Sequence, residues 1–204
     1  IMHVYDISGE KIIQPSFSSA LQAYATSDSG EVLKGAITYS SFEKAFLVIF
    51  KPTLSGHGIS FVQAREETEW KKLTREINYA VRPAKVHTES IEMECFTPND
   101  VNGKVSCTFS LFDEFGNKAG DTENPSSLLT IYATNPGEAV ITSPGAKRDL
   151  NNGFNVFKST IPIQTSGHWN ISATYGSIHV LQIATIFMNP GPLYVDNTMV
   201  SCNP

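Results

Sequence analysis

The sequence predicts an all-β chain of two tandem β-sandwiches, and three observations carry that prediction. Strand-favouring residues dominate, short alternating segments are separated by turn clusters, and the second half repeats the first. Of 204 residues, 17 Ile, 13 Val, 17 Thr, 12 Phe, 7 Tyr and 2 Trp make up a third, against 11 Leu. That balance suits pleated surfaces rather than helical bundles. Charged residues are 17% and hydrophobic ones 41%, the make-up of an ordered chain. A net charge of −5 argues against a nucleic-acid surface, which carries a basic excess. The longest strongly apolar stretch, Ile178 to Met188, is 11 residues, too short to cross a bilayer. Membrane attachment is therefore expected only through an anchor outside this chain.

Repetition sets the domain organisation. Val4-Tyr5-Asp6-Ile7-Ser8-Gly9-Glu10-Lys11 returns 107 residues later as Leu111-Phe112-Asp113-Glu114-Phe115-Gly116-Asn117-Lys118. The same offset carries Pro83 onto Pro190 and Cys95 onto Cys202. Leu54-Ser55-Gly56-His57, then Ile59-Ser60, recur as Thr165-Ser166-Gly167-His168, then Ile171-Ser172, at offsets of 111 to 112. The expected organisation is a repeat over 1–84 without its opening strand and a complete repeat over 85–191. Residues 192–204 then form the start of a third repeat or a tail, so the chain reads as a window on a longer array.

Individual strands can be placed along each repeat. In the first repeat, Glu66 to Arg75 is charged, and Trp70, Leu73, Ile77 and Val81 also fit one face of a helix. Counting back from Pro83 places this stretch in the repeat's last strand instead. In the second repeat, Val105, Cys107, Phe109 and Leu111 alternate with Ser106, Thr108 and Ser110, a period of two with one apolar face. Asp113 to Asn117 ends that strand with Gly and Asn, which tolerate positive φ. Further strands are expected at Leu128 to Thr134, Ala139 to Thr142, Phe154 to Ile163, His168 to Tyr175 and Ile178 to Met188. Turns are expected at Asn135-Pro136-Gly137, Ser143-Pro144-Gly145, Asn151-Asn152-Gly153 and Tyr175-Gly176-Ser177. Roughly seven short strands in about 105 residues predict an immunoglobulin-like sandwich.

Catalytic signals are scarce. No G-x-S-x-G, P-loop, G-x-G-x-x-G or H-E-x-x-H pattern occurs, so the chain reads as a non-enzyme without catalytic residues, cofactor or metal. His3, His57, His87, His168 and His179 make no pair at metal-ligand spacing; His57 and His168 each follow Ser-Gly, a turn entering a strand. Asp6 and Asp113 precede the Gly9 and Gly116 turns, where a carboxylate accepts backbone N–H groups. Asp113, Glu114 and Asp121 are too partial a set for a Ca²⁺ site. Residues 1–85 carry +1 and residues 86–204 carry −6. Arg65, Lys71, Lys72 and Arg75 in the first half read either as a partner surface or as ordinary solvated charge.

The cysteines say more. Shifted back by the repeat, Cys107 falls just before Ile1, while Cys202 repeats Cys95; the odd count of three is then expected to be an effect of truncation, if each unit carries a pair flanking its first turn. Cys95 and Cys107 either close a disulfide over Phe96 to Ser106 or remain two buried thiols. A disulfide there would stabilise by about 3 kcal/mol and belong to a secreted or surface protein. Asn170-Ile171-Ser172 is the one N-x-S/T sequon not blocked by Pro. Glycosylation there requires Asn170 to face solvent while Trp169 and Ile171 point inward.

Together these residues resemble the filamin-type immunoglobulin repeat. The likeness lies in the Asp113-Glu114-Phe115-Gly116-Asn117 turn, the glycine-led strand Ser166-Gly167-His168-Trp169-Asn170-Ile171, and the closing run Phe187-Met188-Asn189-Pro190-Gly191-Pro192. The first repeat departs from it, with Ser8-Gly9-Glu10 and Arg82-Pro83-Ala84 at the matching places. The paired cysteines, and the run Pro190-Gly191-Pro192-Leu193-Tyr194 followed by Cys202, look most like plant gamete-expressed surface proteins with filamin-like ectodomain repeats. That resemblance implies a cell-surface adhesion ectodomain, helping gametes attach, whose partner is a protein on an opposing cell. It carries over no partner-binding residue. The linker Arg82-Pro83-Ala84-Lys85 is short, so rigid stacking would multiply weak contacts along the array. A second expectation is an intracellular scaffold that accepts a partner's strand at the edge Leu128 to Thr134, with Ile131 and Tyr132 on opposite faces. A third is an accessory sandwich of a hydrolase.

Overall fold

Period-two alternation becomes burial in the computed structural model, which describes residues 1–6, 8–73, 75–96, 104–137 and 140–190. The chain is all-β and antiparallel, and it divides into Ile1–Pro83 (unit 1) and Ala84–Pro204 (unit 2). Unit 1 holds β1 (Leu21–Ser27), β2 (Val32–Ser40), β3 (Ala45–Ile49), β4 (Gly56–Glu66), β5 (Glu69–Lys72) and β6 (Ile77–Val81). Unit 2 holds β7 (Glu92–Phe96), β8 (Lys104–Ser110), β9 (Leu129–Thr134), β10 (Ile141–Pro144) and β11 (Lys147–Arg148). It continues with β12 (Val156–Pro162), β13 (Gly167–Tyr175), β14 (Ile178–His179) and β15 (Ala184–Met188).

Unit 2 is sandwich-like. One sheet runs β11-β12-β8-β7; the other runs β10-β9-β13, with β14 and β15 both on β13. Val105, Cys107 and Phe109 of β8, with Phe157 and Ile161 of β12, share one buried cluster with Ile131, Trp169, Ile171 and Ile186 of the second sheet. Each such side chain contributes about 1.5–3 kcal/mol on burial. Trp169 is fully buried and its indole N–H donates to the Thr165 carbonyl at 3.2 Å, so its polar end is satisfied.

Unit 1 is one sheet, β3-β2-β1-β4, with β5 and β6 both on β4. Its pairing repeats that of unit 2 over the strands they share, except that the β4–β5 hairpin is longer than β13–β14: Ala64 pairs Lys71 where Tyr175 pairs Ile178. Leu21 faces Ala64 as Leu129 faces Tyr175, and Gly56 faces Val81 as Gly167 faces Met188. The bridges Met2–Phe46 and Tyr5–Lys11 stand where Phe109–Phe157 and Phe112–Lys118 stand. A second difference is local. β2 is one continuous strand that pairs β1 through 32–35 and then β3 through 36–40, whereas Pro144 and Gly145 end β10 before β11 crosses to β12. Gly145 takes φ +83°, a conformation that costs glycine little, and a proline cannot donate to a ladder.

Several expectations are corrected. Residues 66–72 form the turn and the returning arm of the β4–β5 hairpin; the last strand of unit 1 is Ile77–Val81. The hairpin turns through Glu67 at φ +52°. Ile178 to Met188 is two strands, because Gln182 accepts the Met93 N–H at 2.5 Å while Leu181 and Ile183 face solvent. The match of Ile59-Ser60 to Ile171-Ser172 is off by one, since the ladders place Ser60 where Ile171 stands. Leu128 closes a helical turn, Pro125–Leu128. The expected third repeat, with Cys202, lies outside the described residues.

Candidate functional site

Strand register assembles an outward face in each unit, equivalent over the shared strands and different in chemistry. Directly paired residues in an antiparallel sheet share a face. In unit 1, Tyr24 pairs Phe61 and Lys34, and Gln22 pairs Gln63; Gln63 pairs Lys72, and Arg65 pairs Trp70. Behind them Leu21, Ala23 and Val62 are buried, so these eight side chains point away from the core. The Tyr24 and Phe61 rings are 5.8 Å apart, and the Lys72 ammonium sits 4.7 Å from the Phe61 centroid, within cation–π range. Tyr24 donates to Gln22 Oε1 at 2.7 Å. The result is an aromatic, amide and cationic surface.

Only part of the sequence's cationic cluster belongs to it. Arg65 and Lys72 do; Lys71 pairs opposite Ala64, on the other face, and makes an ion pair with Glu66. Lys72 also meets Glu76 at 2.6 Å. Sequence reasoning did not single out Tyr24 or Phe61; alternation along 21–27 and 56–66 is the signal that could have found them, but their joining to Trp70 of β5 needs the register.

The matching face of unit 2 carries Thr130, Tyr132 and Thr134 of β9, His168, Asn170, Ser172 and Thr174 of β13, and Thr185 and Phe187 of β15, placed together by the ladders. No Lys, Arg, Asp or Glu stands among them. Asn170 is exposed between buried Trp169 and Ile171, the orientation a sequon in a strand requires. Its Oδ1 accepts from the Thr185 hydroxyl at 3.0 Å.

Cys95 and Cys107 are directly paired across β7 and β8 and joined as a disulfide, with Cα atoms 4.1 Å apart. Cys107 is fully buried. The free-thiol alternative therefore does not hold in this structure.

The acidic candidates are committed to backbone. Asp113 is fully buried; Oδ1 accepts the Phe115 and Asn117 N–H groups at 3.0 and 2.8 Å. Oδ2 accepts the Ala84 N–H and the Asn117 amide, each at 2.9 Å. Burial pushes its pKa up, but these hydrogen bonds outweigh that and hold it below the ordinary 3.8. Exposed Asp6 accepts from Ser8 and from the Glu10 N–H, and the Ser8 hydroxyl foremost keeps its pKa low as well. Asp121 is held by Arg148 at 3.0 Å. Among the described residues no group of three His, Cys, Asp or Glu could hold a metal. His57 and His168 open β4 and β13 after positive-φ glycines, and the His168 ring lies 4.8 Å from Phe187.

β9 is not an edge. It pairs β10 on one side and β13 on the other, and Ile131 is fully buried. The expected site for strand addition is thus already occupied within the sheet.

No family model and no curated protein matches the chain. Among solved structures it is similar to invasin, described as a bacterial integrin-binding protein, at 12% identity and a TM-score of 0.41, covering 94% of this chain and 35% of that one. It is also similar to domains 1–6 of the surface layer protein SbsC, at 16% identity and a TM-score of 0.32, covering 95% and 23%. Domains 5–6 of SbsC match at 14% identity and a TM-score of 0.31, covering 92% and 86%. The chain thus spans 35% of the invasin structure and 23% of the six-domain one. The β architecture of this chain stands on its own strand pairing.

Proposed function

We propose that this chain is a non-enzymatic extracellular adhesion module: tandem immunoglobulin-like repeats of the filamin type, within a cell-surface ectodomain that attaches cells, gametes among them, to one another. The observation that carries this reading is the outer face of unit 1, where Tyr24, Phe61 and Trp70 interleave with Lys34, Lys72 and Arg65. Aromatic residues and Arg supply most of the binding energy at protein interfaces, and a cationic surround selects and steers an acidic partner. The partner is therefore an acidic protein surface on the opposing cell. The Cys95–Cys107 disulfide supports an oxidising, extracellular setting.

The test is adhesion of beads coated with the chain to candidate partner cells, comparing wild type with Phe61→Ser and Trp70→Ser. Each variant is first checked for a native circular dichroism spectrum. The expected loss is about 30-fold in affinity for a residue at the energetic centre, with stronger binding at low salt. Equal binding by wild type and both variants would remove the face from the contact. Free thiols at Cys95 and Cys107 in protein taken unreduced from its own cells would overturn the extracellular placement.

A further inference from the structure

We infer that Asn170 carries an N-linked glycan, and that this glycan covers the uncharged outer face of the β9-β13-β15 sheet, leaving the equivalent face of unit 1 as the one open to a partner. The inference rests on the extracellular reading above and assigns the second face a different role. Three observations converge. Asn170 is exposed in the middle of β13, and its Oδ1 is turned to the Thr185 hydroxyl at 3.0 Å, so Nδ2 is the atom presented outward. Ser172, the sequon hydroxyl, stands two residues on and on the same face.

The surroundings fit a neutral saccharide. The face consists of threonines, Ser172, Tyr132, His168 and Phe187, with no carboxylate or fixed cation, in a unit that carries charges of both signs elsewhere. The opposite sheet of the same unit turns Glu92, Glu94, Lys104, Lys147 and Lys158 outward. Hydroxyl groups exchange hydrogen bonds with a sugar as readily as with water. Phe187, 49% exposed, pairs with His168 two residues from Asn170, and offers an apolar ring that a sugar's C–H face can shield from water. In unit 1 the place of Asn170 is taken by Ile59, so the modification belongs to one face only.

The chemistry balances with a polyprenyl-diphosphate oligosaccharide as donor, supplied by the secretory membrane. The Asn170 Nδ2–C1 bond forms and the C1–O bond to the diphosphate breaks. The diphosphate leaves with the electron pair, and the amide gives up one proton.

The experiment is glycopeptide mapping of the chain secreted by eukaryotic cells, with the Cys95–Cys107 state read in the same digest. Hydroxyl-radical footprinting of the face is run before and after enzymatic removal of N-glycans. A glycan on the Asn170 peptide, absent in Asn170→Gln and in Ser172→Ala, is expected, with labelling of Phe187, His168 and Tyr132 rising at least twofold on deglycosylation. An oxidised pair with unmodified Asn170 overturns the inference while leaving the extracellular reading intact. Free thiols with unmodified Asn170 overturn both. A glycan whose removal leaves the three residues equally labelled overturns the covering role, and the face then belongs to a protein partner.

Discussion

The two units share a ladder and differ in what fills it. In unit 2, Trp169 faces Ile186 across β13 and β15, and both are buried. The same rung of unit 1 is Gly58 facing Tyr79. A Cβ on Gly58 would run into the Thr26 carbonyl oxygen and come within 2.5 Å of the Tyr79 hydroxyl. Volume supplied from one strand by an indole is supplied from the other by a phenol ring. Backbone register is thus kept while side-chain content is exchanged, which is why the repeat is plain in the pairing and faint in the residues. The difference extends to the cores. Twenty described residues form the buried cluster of unit 2 and five that of unit 1, so unit 2 holds the larger share of hydrophobic stabilisation.

The sharpest way to break this comparison is Trp169→Ala, which should cost unit 2 about 3–5 kcal/mol through lost burial and a cavity. Hydrogen exchange would then accelerate in β9 and β13 and stay unchanged in β1 and β4. Its counterpart is Gly58→Ala, a small enlargement with the opposite address. It should destabilise unit 1 by about 1–3 kcal/mol through overpacking and spare β13.

After Trp169→Ala, the largest effect expected in unit 2 is that of the disulfide. Opening Cys95–Cys107 with a reductant should cost unit 2 about 3 kcal/mol in the loop-entropy model, read as faster exchange in β7 and β8 with no response in unit 1. Equal acceleration in both units would mean that they unfold together.

The smallest effect is acid sensitivity, set by the two equivalent turns. Asp113 has its pKa held below 3.8 in the folded chain. Its contribution is therefore complete above that value and lost as pH falls through the lower folded-state value. Asp113→Asn should flatten the acid limb of unit 2. The exposed Asp6 turn has the same sign and a weaker response, because solvent screens it. A steeper acid loss in unit 1 than in unit 2 would contradict that ranking.

Much of this architecture was legible in the residues. Alternation at Val105 to Phe112 marked an inward row that is now Val105, Cys107, Phe109 and Leu111, each fully buried. The turns at Gly116, Gly153 and Gly176 were marked by residues that take positive φ, as they do. What stayed hidden was neighbourhood. Nothing in Leu128 to Thr134 says that β10 lies beside it, since an edge is defined by the absence of a partner elsewhere in the chain. Nor could four cations in order, Arg65, Lys71, Lys72 and Arg75, reveal which join Tyr24 and Phe61; that depends on the offset at which β5 returns along β4. The split of Ile178 to Met188 was hidden for a related reason, because an apolar run gives no sign that Gln182 reaches back to Met93.

The disulfide between facing residues of β7 and β8 has a mechanical consequence. On the adhesion reading proposed above, the chain would be pulled from its ends, and a pulled chain lengthens by up to about 3.5 Å for each residue that leaves its fold. Bridging Cys95 to Cys107, a sequence separation of 12, withdraws that segment from the extensible contour. A torn unit 2 is therefore about 40 Å shorter at full stretch than its reduced form, and single-molecule extension would read the bridge as that missing length.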